Sequence, residues 1–430
     1  MRPLLRALAA LPLLLLGLTA GCGGGSHGAS GETITYWANP ETATPEQHAK
    51  VLQPLLDEFT KQTGIHVKLE MQDWTKVYAK IIAGVASDSL PDVFDTGATW
   101  APALQATGGL MPFDSKAYDA IGGRAKFLAT AIASTGVPGP TTAVVPLYGQ
   151  AYGLFYNPTL FAAAGIKAPP TTWAEFETDA RKLTKPGQWG AGFAGNGATI
   201  NVHEAFIFGR QHGARLFSAS GKPTFDTPAE RAGIEQFLDL MSKDKAVDPD
   251  LIEKNGVDLI SAFAQGHTGM ILQQSAAIGQ LDTLGFHDYA IADVPVLNPL
   301  PEGGDPVQSI VAGTNLAIAQ DSRHKQADLA LVKFLTSPAA QTTLNSAFGT
   351  LPVLNSLEGV KPFSSQAMTV FGQIQADHSE PMPLVPGEGA MEIVLGAELV
   401  KLWPKAENGT LTDADVGQAL RAAQAQMPKN

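Results

Sequence analysis

A chain of 430 residues, 44% hydrophobic and only 16% charged, is long enough for two large lobes and apolar enough to bury a core, which excludes a disordered chain. Its 29 Lys and Arg against 41 Asp and Glu give a formal net charge of −12, which excludes the clustered positive surface that nucleic-acid phosphates require. The single cysteine, Cys22, excludes an intramolecular disulfide and a cysteine metal cluster.

Taken in order, the N-terminus is tripartite. Arg2 and Arg6 precede an apolar run from Ala7 to Ala20, shorter than the roughly 20 residues a membrane-spanning helix needs, so residues 1–21 read as a secretory signal. Leu18-Thr19-Ala20-Gly21-Cys22 resembles a bacterial lipobox, which implies lipid on Cys22 and anchoring at the outer face of the cytoplasmic membrane. The competing reading is a soluble secreted protein with one free thiol. Residues 22–31 are rich in glycine and serine and suit a flexible tether.

Beyond the tether, Thr33 to Trp37 alternates as a short strand, and Thr44-Pro45-Glu46-Gln47 reads as a capping box opening a helix that Gly64 ends. Ile65, Val67, Leu69 and Met71 alternate with polar residues as a half-buried second strand. Asp73 caps a helix with Val77, Ile81 and Val85 on one face, and Pro91 to Phe94 forms a third strand closing on Asp95. Strand, helix, strand, helix, strand at this spacing predicts parallel βαβ units, whose ligands sit beyond the carboxyl ends of the strands. The stretch from Val145 to Leu183 is read as the hinge: small and aromatic residues alternate from Tyr148 to Gly153 as a crossing exposed at its small residues. A strand through Tyr156 follows, then a helix to Ala164 and a threonine-capped helix with Trp173, Phe176, Ala180 and Leu183 on its apolar face. Lys185 to Asn201 is predicted to be a glycine-rich loop, and Thr227 to Glu230 a second capping box. A helix near Val257 to Gln265 precedes the run Gly266 to Leu272. Ile310 to Ala319 reads as a second crossing, Ser322 and Ser337-Pro338 as helix starts, Gly349 to Val353 as a third crossing, and Thr412 to Asp415 as the start of the last helix.

The run VPLYGQAYGLFYNPTLFAAAGIKAPPTTWAEF resembles the crossover segment of extracellular solute-binding proteins that serve sugar-importing ABC transporters. Gly313 to Val353 is similar to a second segment of that family, and Gly266 to Leu272 to its "F..GKAAM" strand, with His267 where lysine is common and Gln273-Gln274-Ser275-Ala276 where a sugar-stacking tryptophan often follows. The resemblance implies an α/β, two-lobed periplasmic-binding-protein-like fold, each lobe a mainly parallel sheet flanked by helices, joined by a multi-strand hinge. One lobe is expected to comprise residues 32–148 with 310–351, the other 149–309 with 352–430. The implied partners are a small solute, carbohydrate above all, and an ABC permease, with the protein itself a monomer. No cofactor or metal is expected.

Sugars present hydroxyls around an apolar C–H face, so they call for flat aromatics and for amides or carboxylates. The candidate binding residues are Trp37, Trp74, Trp100 and Tyr148 for stacking, and Glu41, Asp95, Gln150, Asn196, Gln274 and Asn315 for hydrogen bonding. Each has a structural competitor: core packing for the aromatics, a turn for Asp95 and Asn315, a solvated surface for Glu41. Tyr152 and Trp189 are better explained by packing. His203-Glu204 does not continue into a zinc-protease motif, and neither a nucleophile elbow nor a phosphate loop is present. Two alternatives stay open: the same scaffold holding a glycerophosphodiester, osmolyte or polyamine, and a lipid-anchored glycan hydrolase.

Overall fold

The computed structural model describes residues 31–428; the leader, Cys22 and the rest of the tether up to residue 30 lie outside them. The strands are β1 (Thr33–Ala38), β2 (His66–Met71), β3 (Val93–Gly97), β4 (Val145–Gln150), β5 (Tyr152–Tyr156), β6 (Trp189–Gly192), β7 (Thr268–Gln274), β8 (Ala290–Ala292), β9 (Ser309–Ile310), β10 (Ala312–Ile318) and β11 (Ser379–Glu380). They form a five-stranded sheet in the order β2-β1-β3-β10-β4, a four-stranded sheet in the order β6-β7-β5-β8, and a small β11-β9 pair.

Both large sheets are mixed, which corrects the expectation of mainly parallel ones. In the first, β1 runs parallel to β2 and β3, but β10 is antiparallel to both β3 and β4. In the second only β6 and β7 are parallel, with β5 antiparallel to β7 and β8. The reason is connectivity: β4, β5 and β10 arrive by crossing from the other lobe or leave towards it, so they need not follow the βαβ direction. Each lobe has its own apolar core. Ile34, Tyr36, Leu56, Phe113, Leu331 and Phe348 lie in the first, and Leu154, Trp173, Phe208, Phe237, Leu395 and Trp403 in the second.

Local signals placed most helices as expected. Thr44, Thr172 and Thr412 each close a reciprocal capping box. Thr227 caps its helix from one side only, because the Glu230 carboxylate does not return to the cap and is instead buried beside Gly209. The helix expected at Ser322 begins at Lys325; the Ser322 hydroxyl lies between Asp92 and Asp328. The glycine-rich stretch after Lys185 holds strand β6 and the start of a fully packed helix, Ala198–Gln211. Its glycines are required there by crowding: a Cβ on Gly190 would stand 2.0 Å from the Ala180 carbonyl oxygen.

The hinge differs from its expected solvent exposure, since every residue from Val145 to Phe155 is buried. Other crossings cover it. Gly149 and Gln150 of β4 pair with Gly313 and Ala312 of β10, Gly149 also bridges Leu351, and the Tyr152 N–H donates to the Ser309 hydroxyl at 2.8 Å. Gly313 takes φ 139° with the Tyr148 carbonyl against it, a place no side chain fits. Leu351 touches the second lobe, but Val353, Leu354, Leu357 and Phe363 return to the first core, and the chain packs on the second again from Ala367, with Phe371 and Ile374 buried there. The segment after residue 351, expected in the second lobe, therefore begins in the first. Its proline-flanked extended pattern resembles a crossing because it does graze the hinge.

Candidate functional site

The carboxyl ends of β1 and β3, the hinge, and two helices of the second lobe converge where the lobes meet. At the floor, Glu41 lies three residues past the end of β1. Its Oε1 accepts from the Thr314 hydroxyl at 2.6 Å and its Oε2 from the Gln150 amide at 2.7 Å, joining β1, β4 and β10 in one buried cluster. Burial pushes the Glu41 carboxyl up to about 7, although both hydrogen bonds favour its charged form. The Glu41 N–H donates to His48 Nδ1 at 3.1 Å, and burial holds that imidazole down to about 3, so it stays neutral and stacks on Phe348.

Beside it, Asp95 accepts from the Tyr36 hydroxyl at 2.6 Å and from the Asn39 N–H at 3.0 Å. These bonds lock the end of β1 onto β3. Burial pushes Asp95 up to about 8. Among the described residues the Tyr148 hydroxyl and both amide atoms of Asn39 are buried without a partner, and such groups cost free energy until something donates to or accepts from them.

The wall of the first lobe is aromatic. Trp74 and Tyr78 meet Trp100 edge-on, with ring centroids 5.6 and 5.1 Å apart, and the Trp74 indole N–H donates to the Pro40 carbonyl at 2.9 Å. The Trp100 N–H crosses to the second lobe and donates to Glu392 Oε2 at 2.7 Å. Glu392 sits on the helix Glu388–Val400, and its Oε1 accepts from His203 Nε2 at 3.1 Å. Because the carboxylate can only accept, His203 presents N–H there, leaving Nδ1 to meet the Tyr152 hydroxyl at 2.9 Å. Burial works against charge on Glu392, but His203, Thr99 and Trp100 outweigh it and hold the carboxyl below its ordinary range. Glu388, one turn earlier, and Glu204, beside His203, are driven well above it by burial.

Of the residues proposed from sequence, this junction gathers Glu41, Trp74, Asp95, Trp100, Tyr148 and Gln150, with Gln274 against the Tyr152 hydroxyl. Trp37 is committed within the first lobe: its N–H donates to Glu70 on β2 at 2.9 Å and the Lys80 ammonium covers its ring. Asn196 is exposed on its loop. Asn315 turns to the Ser134 carbonyl at 3.2 Å, and a bulge between Thr314 and Asn315 gives the contact with Glu41 to Thr314. Tyr152, assigned to packing, does pack, and its hydroxyl also joins the polar chain. Sequence reasoning missed Tyr78, His203, Glu204, Glu388 and Glu392. The available signal was acidic residues inside strongly apolar helices, a pattern that asks for a partner.

Two lobes on a buried multi-strand hinge, with polar and aromatic groups facing one another between them, define a protein that closes around a small solute. The chain belongs to the bacterial extracellular solute-binding protein family, whose pattern matches residues 43–342. It is 25% identical over 400 residues, 87% of each chain, to the diacetylchitobiose binding protein DasA of Streptomyces coelicolor. Its fold matches an ABC transporter solute-binding protein of Thermotoga lettingae, solved bound with alpha-D-tagatose, at a TM-score of 0.79 and 19% identity, covering 92% of this chain and 99% of that one. It matches the GacH receptor of Streptomyces glaucescens, solved free and with acarbose, at a TM-score of 0.75 and 22% identity, covering 93% and 100%. Among the described residues no helix is long and apolar enough to cross a membrane.

Proposed function

We propose that this protein captures a carbohydrate between its lobes, unchanged chemically, and hands it as a monomer to an ABC permease, held to the outer face of the cytoplasmic membrane by lipid on Cys22. The observation that carries the reading is the Trp74–Trp100–Tyr78 aromatic wall ending in a hydrogen bond to Glu392 of the opposite lobe. Flat rings suit the C–H face of a sugar, the adjacent carboxylates and amides suit its hydroxyls, and the cross-lobe bond forms only on closure. The sugar-related ligands of DasA, GacH and the Thermotoga protein support the same class.

A thermal-shift panel of mono- and oligosaccharides, osmolytes, glycerophosphodiesters and polyamines tests it. A saccharide should raise the melting temperature in a concentration-dependent way and be recovered intact by mass spectrometry after long incubation. Stabilisation by non-sugar solutes alone, or the appearance of hydrolysis products, would refute it. Anchoring is tested by fatty-acid probe labelling, which Cys22→Ala should abolish while releasing the protein from the membrane fraction.

A further inference from the structure

The second-lobe helix Glu388–Val400 carries a buried glycine in its first turn, Gly389, and another two turns on, Gly396. Gly396 is explained within its own lobe, because a Cβ there would stand 2.7 Å from the Ala198 carbonyl oxygen. Gly389 is not. Its φ lies outside the left-handed region, so the backbone asks for no glycine, and alanine would favour the helix. Among the described residues, the three heavy atoms nearest to a Cβ at 389 all belong to Tyr78 of the first lobe: Cε2 at 2.7 Å, Cζ at 2.5 Å and the hydroxyl oxygen nearer still. Tyr78 sits on the helix Trp74–Ser87, edge-on to Trp100 with ring centroids 5.1 Å apart. The Trp100 N–H in turn reaches Glu392, one turn beyond Gly389. Burial first, then nearby Glu388 and Glu392, pushes the Tyr78 hydroxyl up to about 12, so the phenol is neutral at pH 7 and its contact with Gly389 is one of shape.

Non-bonded carbons rest about 3.5–4 Å apart. A methyl on Gly389 would therefore force the Tyr78 ring either to leave Trp100 or to hold the lobes apart. Resting on the reading of a cleft that closes around a solute, we propose that Gly389 is the socket that receives the Tyr78 phenol as the lobes close. This pair, drawn from opposite lobes, sets how far the cleft shuts and how tightly the solute is held. By letting the aromatic wall approach, the socket also brings Trp100 within reach of Glu392.

Wild type, Gly389→Ala, Tyr78→Ala and the double variant test it. Each is measured by small-angle scattering, unliganded and with glucose, N-acetylglucosamine, maltose or cellobiose, and by calorimetric titration with the same sugars. Gly389→Ala should enlarge the radius of gyration and weaken binding of whichever of these sugars wild type takes by about tenfold or more. With Tyr78 already cut back to alanine, the same change should alter affinity less than about twofold, because the methyl then meets no ring. Unliganded Gly389→Ala should melt no lower than wild type, whereas Gly396→Ala, crowded within its own lobe, should melt lower. The socket is overturned if Gly389→Ala matches wild type in scattering and affinity, if its penalty is equal in both Tyr78 backgrounds, or if it lowers the melting temperature in both. Failure of wild type to bind any of the four sugars counts against the carbohydrate reading alone, and the unliganded scattering of the four proteins then decides the socket.

Discussion

Trp100→Phe isolates the bond that joins the lobes. It keeps a ring against Trp74 and Tyr78 and removes the indole N–H that reaches Glu392 at 2.7 Å. A buried hydrogen bond to a charged group is worth about 1.5–3 kcal/mol. Its donor and acceptor belong to different lobes, so the loss falls on the closed form alone. The ratio of closed to open protein should drop roughly 10- to 150-fold. Affinity for a saccharide should weaken towards the same factor, because a solute that bridges both lobes now has to supply the closure energy. Small-angle scattering should report a larger radius of gyration, and calorimetry a higher Kd, while circular dichroism melting of the unliganded protein stays close to wild type. Trp74→Phe is the control, since its N–H reaches Pro40 within the same lobe. If Trp100→Phe and wild type give the same scattering and the same Kd, the cross-lobe bond does not govern closure and the reasoning fails.

Three further outcomes follow from the same geometry. Glu41 has its carboxyl at about 7 when folded against an ordinary 4.5, so its contribution to stability is complete below about pH 4.5 and lost as pH rises through about 7, a difference of about 3 kcal/mol. Urea unfolding at pH 5 and pH 8 should show a smaller decline for Glu41→Gln than for wild type; equal declines would count against a buried, proton-binding Glu41. Tyr36→Phe removes the 2.6 Å donor to buried Asp95 and should destabilise the first lobe by about 1–3 kcal/mol in denaturant titration; an unchanged midpoint would contradict the lock between β1 and β3. Gly190→Ala puts a methyl onto the Ala180 carbonyl and should lower the second lobe's stability by about 1–3 kcal/mol or more, read as an earlier first transition on melting; wild-type melting would mean β6 can move away from the helix Trp173–Leu183.

The helices were legible because their signals are local. A threonine that caps and a glutamate or glutamine three residues later satisfy each other whatever surrounds them, as at Thr44 and Thr172. Thr227 shows the limit: the same spelling gave half a cap, because Glu230 was taken into the helix–helix packing beside Gly209. Strand β6 was read as a loop because a four-residue strand with two glycines carries almost no β signal, and only the narrow gap to Ala180 explains why glycine is needed. At the site, Gln150 was legible as the polar residue beside the hinge tyrosine. Thr314 was not, because a bulge decides whether it or Asn315 faces Glu41.

By itself the sequence determined that this chain forms an α/β protein of two lobes with a crossing near Gln150, since hydrophobic period, caps and turn residues act over a few positions and the family pattern runs through them. The tertiary structure alone decided which polar groups confront each other. Trp100 and Glu392 lie 292 residues apart, and Glu41 meets Gln150 and Thr314 across 109 and 273 residues. Hydrogen bonds and burial depend on distance in space, so a carboxylate inside an apolar helix announces only that it needs a partner. Folding brings Glu392 its partners from both lobes and, among the described residues, leaves the Glu204 carboxyl without a donor.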